Sequence, residues 1–81
     1  MQVTILLFAS YQDAAGTDRL PIELPENAVV ADCARALVAR FPALAERLPA
    51  GRVAVSAEFA TDETALNDGD EVAFLPPMSG G

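Results

Sequence analysis

The sequence predicts a single α+β domain: a small mixed sheet with one main helix packed on one face. Three observations predict it. Strand-like apolar runs stand near both ends of the chain, Val3 to Phe8 and Glu71 to Leu75. Between them lies one longer stretch, Val29 to Phe41, with apolar residues at helical spacing. The breaks between these runs are clusters of Pro, Gly, Asn and Asp, with no repeat, linker or low-complexity segment. At 81 residues the chain holds one domain at most.

The elements follow in order. Val3 to Phe8 (VTILLF) is a continuous run rich in β-branched and aromatic residues, and reads as the first strand. Ala9 to Asp18 carries Gly16 and polar residues, and reads as a connection with room for a short helical turn. Arg19 to Leu24 alternates around Pro21, which suits a short strand or a sheet edge. In the helix, Val30, Cys33, Ala34, Leu37, Val38 and Phe41 share a face. Asp32 comes early and Arg40 late, which suits the helix dipole. Pro42 stops the helix. A short helical piece over Ala43 to Leu48 precedes the break at Pro49-Ala50-Gly51. Val53 to Ala57 reads as a strand, and Phe59 to Leu66 as irregular with room for a brief one. Asn67-Asp68-Gly69-Asp70 is a turn signal, and the last strand follows it. The β-grasp arrangement, with first and last strands side by side and parallel at the centre, accommodates this order.

Composition narrows the function classes. A hydrophobic share of 52% is enough for a core without disulfide or metal. One cysteine allows no internal disulfide, and the absence of histidine removes the usual Cys/His metal sets. This fits a reducing, cytoplasmic setting. The first residues lack the basic flank of a signal peptide. No stretch reaches the roughly 18–20 apolar residues that cross a bilayer. A net charge of −7 disfavours nucleic acid and anionic membranes, and favours basic protein partners. With neither His nor Lys, there is no imidazole base and no amine nucleophile. Chemistry is left to carboxylates, one thiol or the chain terminus. Cys33, on the apolar helix stripe, reads as core packing. Asp62, Glu63, Asp68, Asp70 and Glu71 read as a solvated turn region or as steering charge toward a basic partner.

Strand parity leaves an apolar excess. If Val3, Ile5 and Leu7 face the helix, then Leu6 and Phe8 face away from it. In the last strand, Val72 and Phe74 point in, while Glu71, Ala73 and Leu75 point out. One helix covers one face of the sheet only. Leu6, Phe8 and Leu75, with Phe59 nearby, then form a cluster for a partner or for the chain's own tail to cover. The tail, Pro76-Pro77-Met78-Ser79-Gly80-Gly81, offers little side chain for that. Its six small, uncharged residues reach at most about 20 Å when extended, and Pro76-Pro77 stiffens its root. We therefore divide the chain into a domain over 1–75 and an extended tail over 76–81. The Gly81 carboxylate is then a group for delivery into a narrow site.

The Phe8-to-Gly16 stretch (FASYQDAAG), the ending DGDEVAFLPPMSGG (Asp68 to Gly81) and the length resemble the MoaD family. These are the small, sulfur-carrier subunits of molybdopterin synthase, within the ubiquitin-like β-grasp carriers. The resemblance covers essentially the whole chain and is strongest at its two ends. It implies that a MoeB-like adenylating enzyme spends ATP to activate the Gly81 carboxylate, and that sulfur delivery then gives a thiocarboxylate. The carrier itself binds no permanent cofactor. It implies docking onto a MoaE-like large subunit, in a heterotetramer, with sulfur passing to cyclic pyranopterin monophosphate. Catalytic roles fall to Gly81 and Gly80. Partner contacts fall to Phe8, Phe59, Leu75, Pro76, Pro77, Met78 and Ser79. Leu75 stands where the family often has Phe, and Tyr11-Gln12-Asp13 departs from a more usual Arg-Glu pair. The competing readings are a ThiS-like carrier for thiamine thiazole synthesis, a protein-conjugation carrier, and a β-grasp interaction module with no chemistry at its terminus.

Overall fold

The computed structural model describes residues 1–77. Among them are strands β1 (Gln2–Leu7), β2 (Arg19–Glu23), β3 (Arg52–Val55), β4 (Glu58–Ala60) and β5 (Glu71–Leu75). Helix α1 spans Ala9–Ala15 and helix α2 spans Val30–Arg40. In place of one short helical piece over Ala43 to Leu48 there are two 3-10 turns, Pro42–Leu44 and Leu48–Ala50, the second running into the Pro49-Ala50 segment read as a break. The sheet order is β2-β1-β5-β3-β4. β1 and β5 pair in parallel, with Leu7 beside Phe74, and every other pairing is antiparallel. This is the β-grasp arrangement, with β5 in the middle of the sheet.

The alternation of β1 decides which side is core. Val3, Ile5 and Leu7 are buried, as are Val72 and Phe74 of β5 and Leu20 and Ile22 of β2. They meet Val30, Cys33 and Leu37 of α2 in one cluster. Helix α2 begins one residue later and ends one residue earlier than its apolar stripe predicts. The Asp32 carboxylate accepts a hydrogen bond from the Val29 amide at 2.9 Å, which fixes the start. Pro42 opens the 3-10 turn just beyond, and the helix closes on Phe41. Residues 61–66 look irregular in sequence because their carbonyls serve α2. Thr64 O accepts from the Val30 amide at 3.0 Å and Asp62 O from the Ala31 amide at 2.9 Å. Two donors that a helix start leaves unpaired are satisfied in this way.

Three expectations change. Helix α1 occupies most of the segment read as a connection. It buries one residue only, Tyr11, and closes on Gly16 at φ 76°. Phe8 does not end the first strand: β1 stops at Leu7, and Phe8 is the residue preceding α1. Strand β3 ends at Val55, not Ala57. Ser56 and Ala57 have φ of 48° and 73° and form a two-residue hairpin turn into β4.

Pro21 fits its place. Met1 and Leu24 exchange hydrogen bonds, and the Leu7 amide donates to Asp18 O. The two-residue alternation then puts Thr4 and Pro21 in a non-bonded pair, so the missing N–H of Pro21 faces the open edge. The turn before β5 is held at both ends. Gly69, at φ 88°, donates its amide to Gln2 O at 2.7 Å. Asp68 accepts from the Gln2 amide at 2.8 Å, and Asp70 from the Asn67 amide at 2.8 Å. These acids serve the turn.

Candidate functional site

The face of the sheet opposite α2 carries the apolar excess. Register builds it residue by residue. Arg19 pairs with Leu6, Leu6 with Ala73, Ala73 with Ala54, and Ala54 with Phe59. This single row crosses all five strands on the uncovered side. Leu6, Ala73 and Ala54 are half-buried, whereas Phe59 is 69% exposed. The two alanines keep the middle of the face flat, and the larger groups stand at its ends.

The next row holds the tail root. Leu75, the last residue of β5, pairs with Arg52 of β3. The Arg52 guanidinium lies 5.2 Å from the centre of the Phe59 ring, a cation–π contact of about 0.5–1 kcal/mol at an exposed site. Continuing the β1–β5 register brings Phe8 beside Leu75. Phe8 is 43% exposed and lines a shallow groove with Leu6, Leu7, Gln12, Asp18 and Arg19. Reaching over β1, Arg19 pairs with Glu71 at 2.9 Å. Both side chains are more than half exposed, so the pair contributes about 0–1 kcal/mol.

Phe8, Leu75 and Phe59 thus share one face, with Arg52 between the last two. Pro76 is half-buried and Pro77 exposed. Met78, Ser79, Gly80 and Gly81 lie outside the described residues. The sequence reading placed Ala73 on this face but missed Arg52 and Ala54 as parts of it. Applying parity to β3 as well as to β1 and β5 would have found them.

The root is fixed from beneath. Gly51 adopts ordinary extended φ, so its role is steric. A Cβ there would run into the carbonyl oxygen of Leu75 and the hydroxyl of Tyr11. That hydroxyl donates to Arg47 O at 2.7 Å. Burial raises the Tyr11 phenol above its ordinary value, outweighing the opposing effect of Arg47. Tyr11 is therefore a core residue whose polar end is satisfied. Cys33 is fully buried, and burial pushes its thiol up to about 12. It is neutral and shielded at neutral pH, in keeping with core packing. Among the described residues no helix is long and apolar enough to cross a membrane.

The ThiS family profile matches residues 5–81. The molybdopterin synthase sulfur carrier subunit of Chlamydomonas reinhardtii is 37% identical over 83 residues, covering 100% of both chains. That of Arabidopsis thaliana is 32% identical and covers 100% of this chain and 84% of its own. Among solved structures, SAMP1 from Haloferax volcanii superposes with a TM-score of 0.93 at 31% identity, covering 100% of both chains. A complex of subunits 1 and 2 of molybdopterin-converting factor from Helicobacter pylori shares the fold at a TM-score of 0.71 and 24% identity, again over 100% of both chains. Profile, identity and coverage agree along the whole length, and the chain belongs to the ThiS family.

Proposed function

We propose that this chain is a sulfur carrier of molybdopterin synthesis, with the Gly81 carboxylate as its working group. The observation that carries this reading is the full-length identity to a molybdopterin synthase sulfur carrier subunit, together with a family match running through Gly81. A carboxylate resists attack until its oxygen becomes a leaving group. In the proposed sequence, a carboxylate oxygen of Gly81 attacks the α-phosphorus of ATP and expels pyrophosphate. Hydrosulfide from a sulfur donor then attacks the acyl carbon: the C–S bond forms, the C–O bond to AMP breaks, AMP leaves, and loss of the S–H proton gives a thiocarboxylate. Glycine suits the position because it has no Cβ to hinder the carbonyl.

Two partners follow from this chemistry. A MoeB-like adenylating enzyme supplies the activation, and a MoaE-like large subunit receives the sulfur and passes it to cyclic pyranopterin monophosphate. The open sheet face supports docking. Fully burying Phe59, or another large apolar side chain of this face, in a partner is worth roughly 1.5–3 kcal/mol. Arg52 and Arg19 at its margins can meet acids, and the net charge of −7 suits a basic rim.

The test is intact mass after incubation with ATP, the adenylating enzyme and a sulfur donor. Replacement of one oxygen by sulfur is expected, and deletion of Gly81 should abolish it. An unchanged mass in the intact chain would contradict the proposal. A second reading is favoured by one observation, the TM-score of 0.93 to SAMP1, a small archaeal modifier protein. In that reading the activated carboxylate joins an amine of another protein with loss of AMP. Higher-mass conjugates appearing with the adenylating enzyme would favour it, as copurification with thiazole synthase would favour the thiamine pathway.

A further inference from the structure

β5 is the central strand, so its continuation faces a partner strand on each side. Along an extended strand, successive backbone N–H groups point to opposite neighbours. The Thr4 amide donates to Asp70 O at 2.9 Å, which sets the phase of the parallel ladder with β1. Through the register Leu7 to Phe74, residues 72 and 74 donate toward β1, and residue 76 is next. On the other side, the Ser56 amide donates to Glu71 O at 2.8 Å. Hydrogen-bonded pairs with β3 then fall at Ala54–Ala73 and Arg52–Leu75. The next pair would be Ala50 with residue 77. Both of these next donors are proline, and proline has no N–H.

We infer that Pro76 and Pro77 are positioning residues that each end one ladder of the central strand, Pro76 the ladder to β1 and Pro77 the ladder to β3. A strand at a sheet edge needs one such stop, whereas a central strand needs two in succession. The two stops are not equally backed. The acceptor that residue 76 would use, Phe8 O, already accepts from the Tyr11 amide at 3.0 Å and the Gln12 amide at 3.3 Å. On the β3 side, the Ala50 amide is taken by Arg47 O at 3.2 Å. The Ala50 carbonyl, at the end of the second 3-10 turn, accepts no such bond among the described residues, so Pro77 is the more critical stop. This inference deepens the sulfur-carrier reading and rests on it for its purpose: chain beyond Leu75 drawn into the sheet would shorten the reach of Gly81.

The experiment compares three full-length chains made by peptide ligation: the parent, Pro77→Ala, and residue 77 as N-methylalanine. The last lacks the ring but also lacks the N–H. Amide hydrogen exchange reads the ladder directly. In Pro77→Ala the new residue-77 amide should be slowed about fivefold or more relative to an unstructured peptide, the shift that one net hydrogen bond produces. Sulfur loading by the adenylating enzyme should fall in Pro77→Ala and return with N-methylalanine. Pro76→Ala should change both readouts less. A residue-77 amide that exchanges at the unstructured rate would overturn the inference, as would N-methylalanine behaving like alanine in loading. If the parent itself takes up no sulfur, the carrier reading fails, while the exchange measurement still decides the ladder.

Discussion

The two faces of one sheet are made from the same strands and are put to different uses. On β1, Leu7 is 1% exposed against the helix, while its neighbours Leu6 and Phe8 stand on the uncovered side. All three are large and apolar, so composition does not separate them. Parity does. The covered face is a packed cluster in which each side chain touches others of this chain. The open face is a flat row ending in Phe59, with the tail root beside it. The lesson is that the apolar content of this chain exceeds the needs of its core, and the surplus is collected on one surface.

The sharpest way to break this contrast is on the covered face. Leu37, fully buried in α2, should cost about 2–5 kcal/mol of unfolding free energy as Leu37→Ala, measured by urea titration. A loss as small as that of a surface substitution would mean that the core is placed wrongly. The same face predicts a pH dependence. In the unfolded chain the Cys33 thiol ionises near its ordinary 9.0, and in the folded chain burial moves it to about 12. The unfolded state alone releases this proton between those values. Stability from this group is therefore intact below pH 9 and falls as pH rises from there to 12, by up to about 1.4 kcal/mol per unit. Comparing the parent with Cys33→Ala across that range isolates the effect, and native Cys33 should resist thiol reagents.

Between the two faces lies the Gly51 contact. Gly51→Ala puts a methyl group against the Leu75 carbonyl and the Tyr11 hydroxyl, with an expected loss of about 1–3 kcal/mol. Thermal unfolding measures it. A neutral result would show that the tail root shifts freely, against the fixed geometry described above. The smallest effect on folding is expected on the open face. Phe59→Ala should change unfolding free energy by under about 1 kcal/mol, its contact with Arg52 being the main loss.

What the sequence reveals follows the same division. β5 is legible from end to end, because a turn signal precedes it and Pro76 follows it. The α2 stripe and the edge position of β2 are legible through periodicity and through Pro21. The β3–β4 hairpin is hidden because Ser56 and Ala57 take positive φ without the Gly or Asn that usually marks such a turn. Helix α1 is hidden because seven residues burying only Tyr11 carry no apolar period. Residues 61–66 gain their order from amides of α2, more than thirty residues earlier in the chain, a relation no local window contains. At the candidate site, Phe8, Phe59 and Leu75 could be named in advance. Arg52, which joins two of them, needed the register.

The most direct test of the contrast is a paired measurement on Phe59→Ala: calorimetry of binding to the large subunit, and denaturant unfolding of the free chain. The expected result is a binding loss of roughly 1.5–3 kcal/mol, with unfolding changed by under about 1 kcal/mol. Unchanged binding, or an equal loss in both, would contradict the assignment of the open face to a partner.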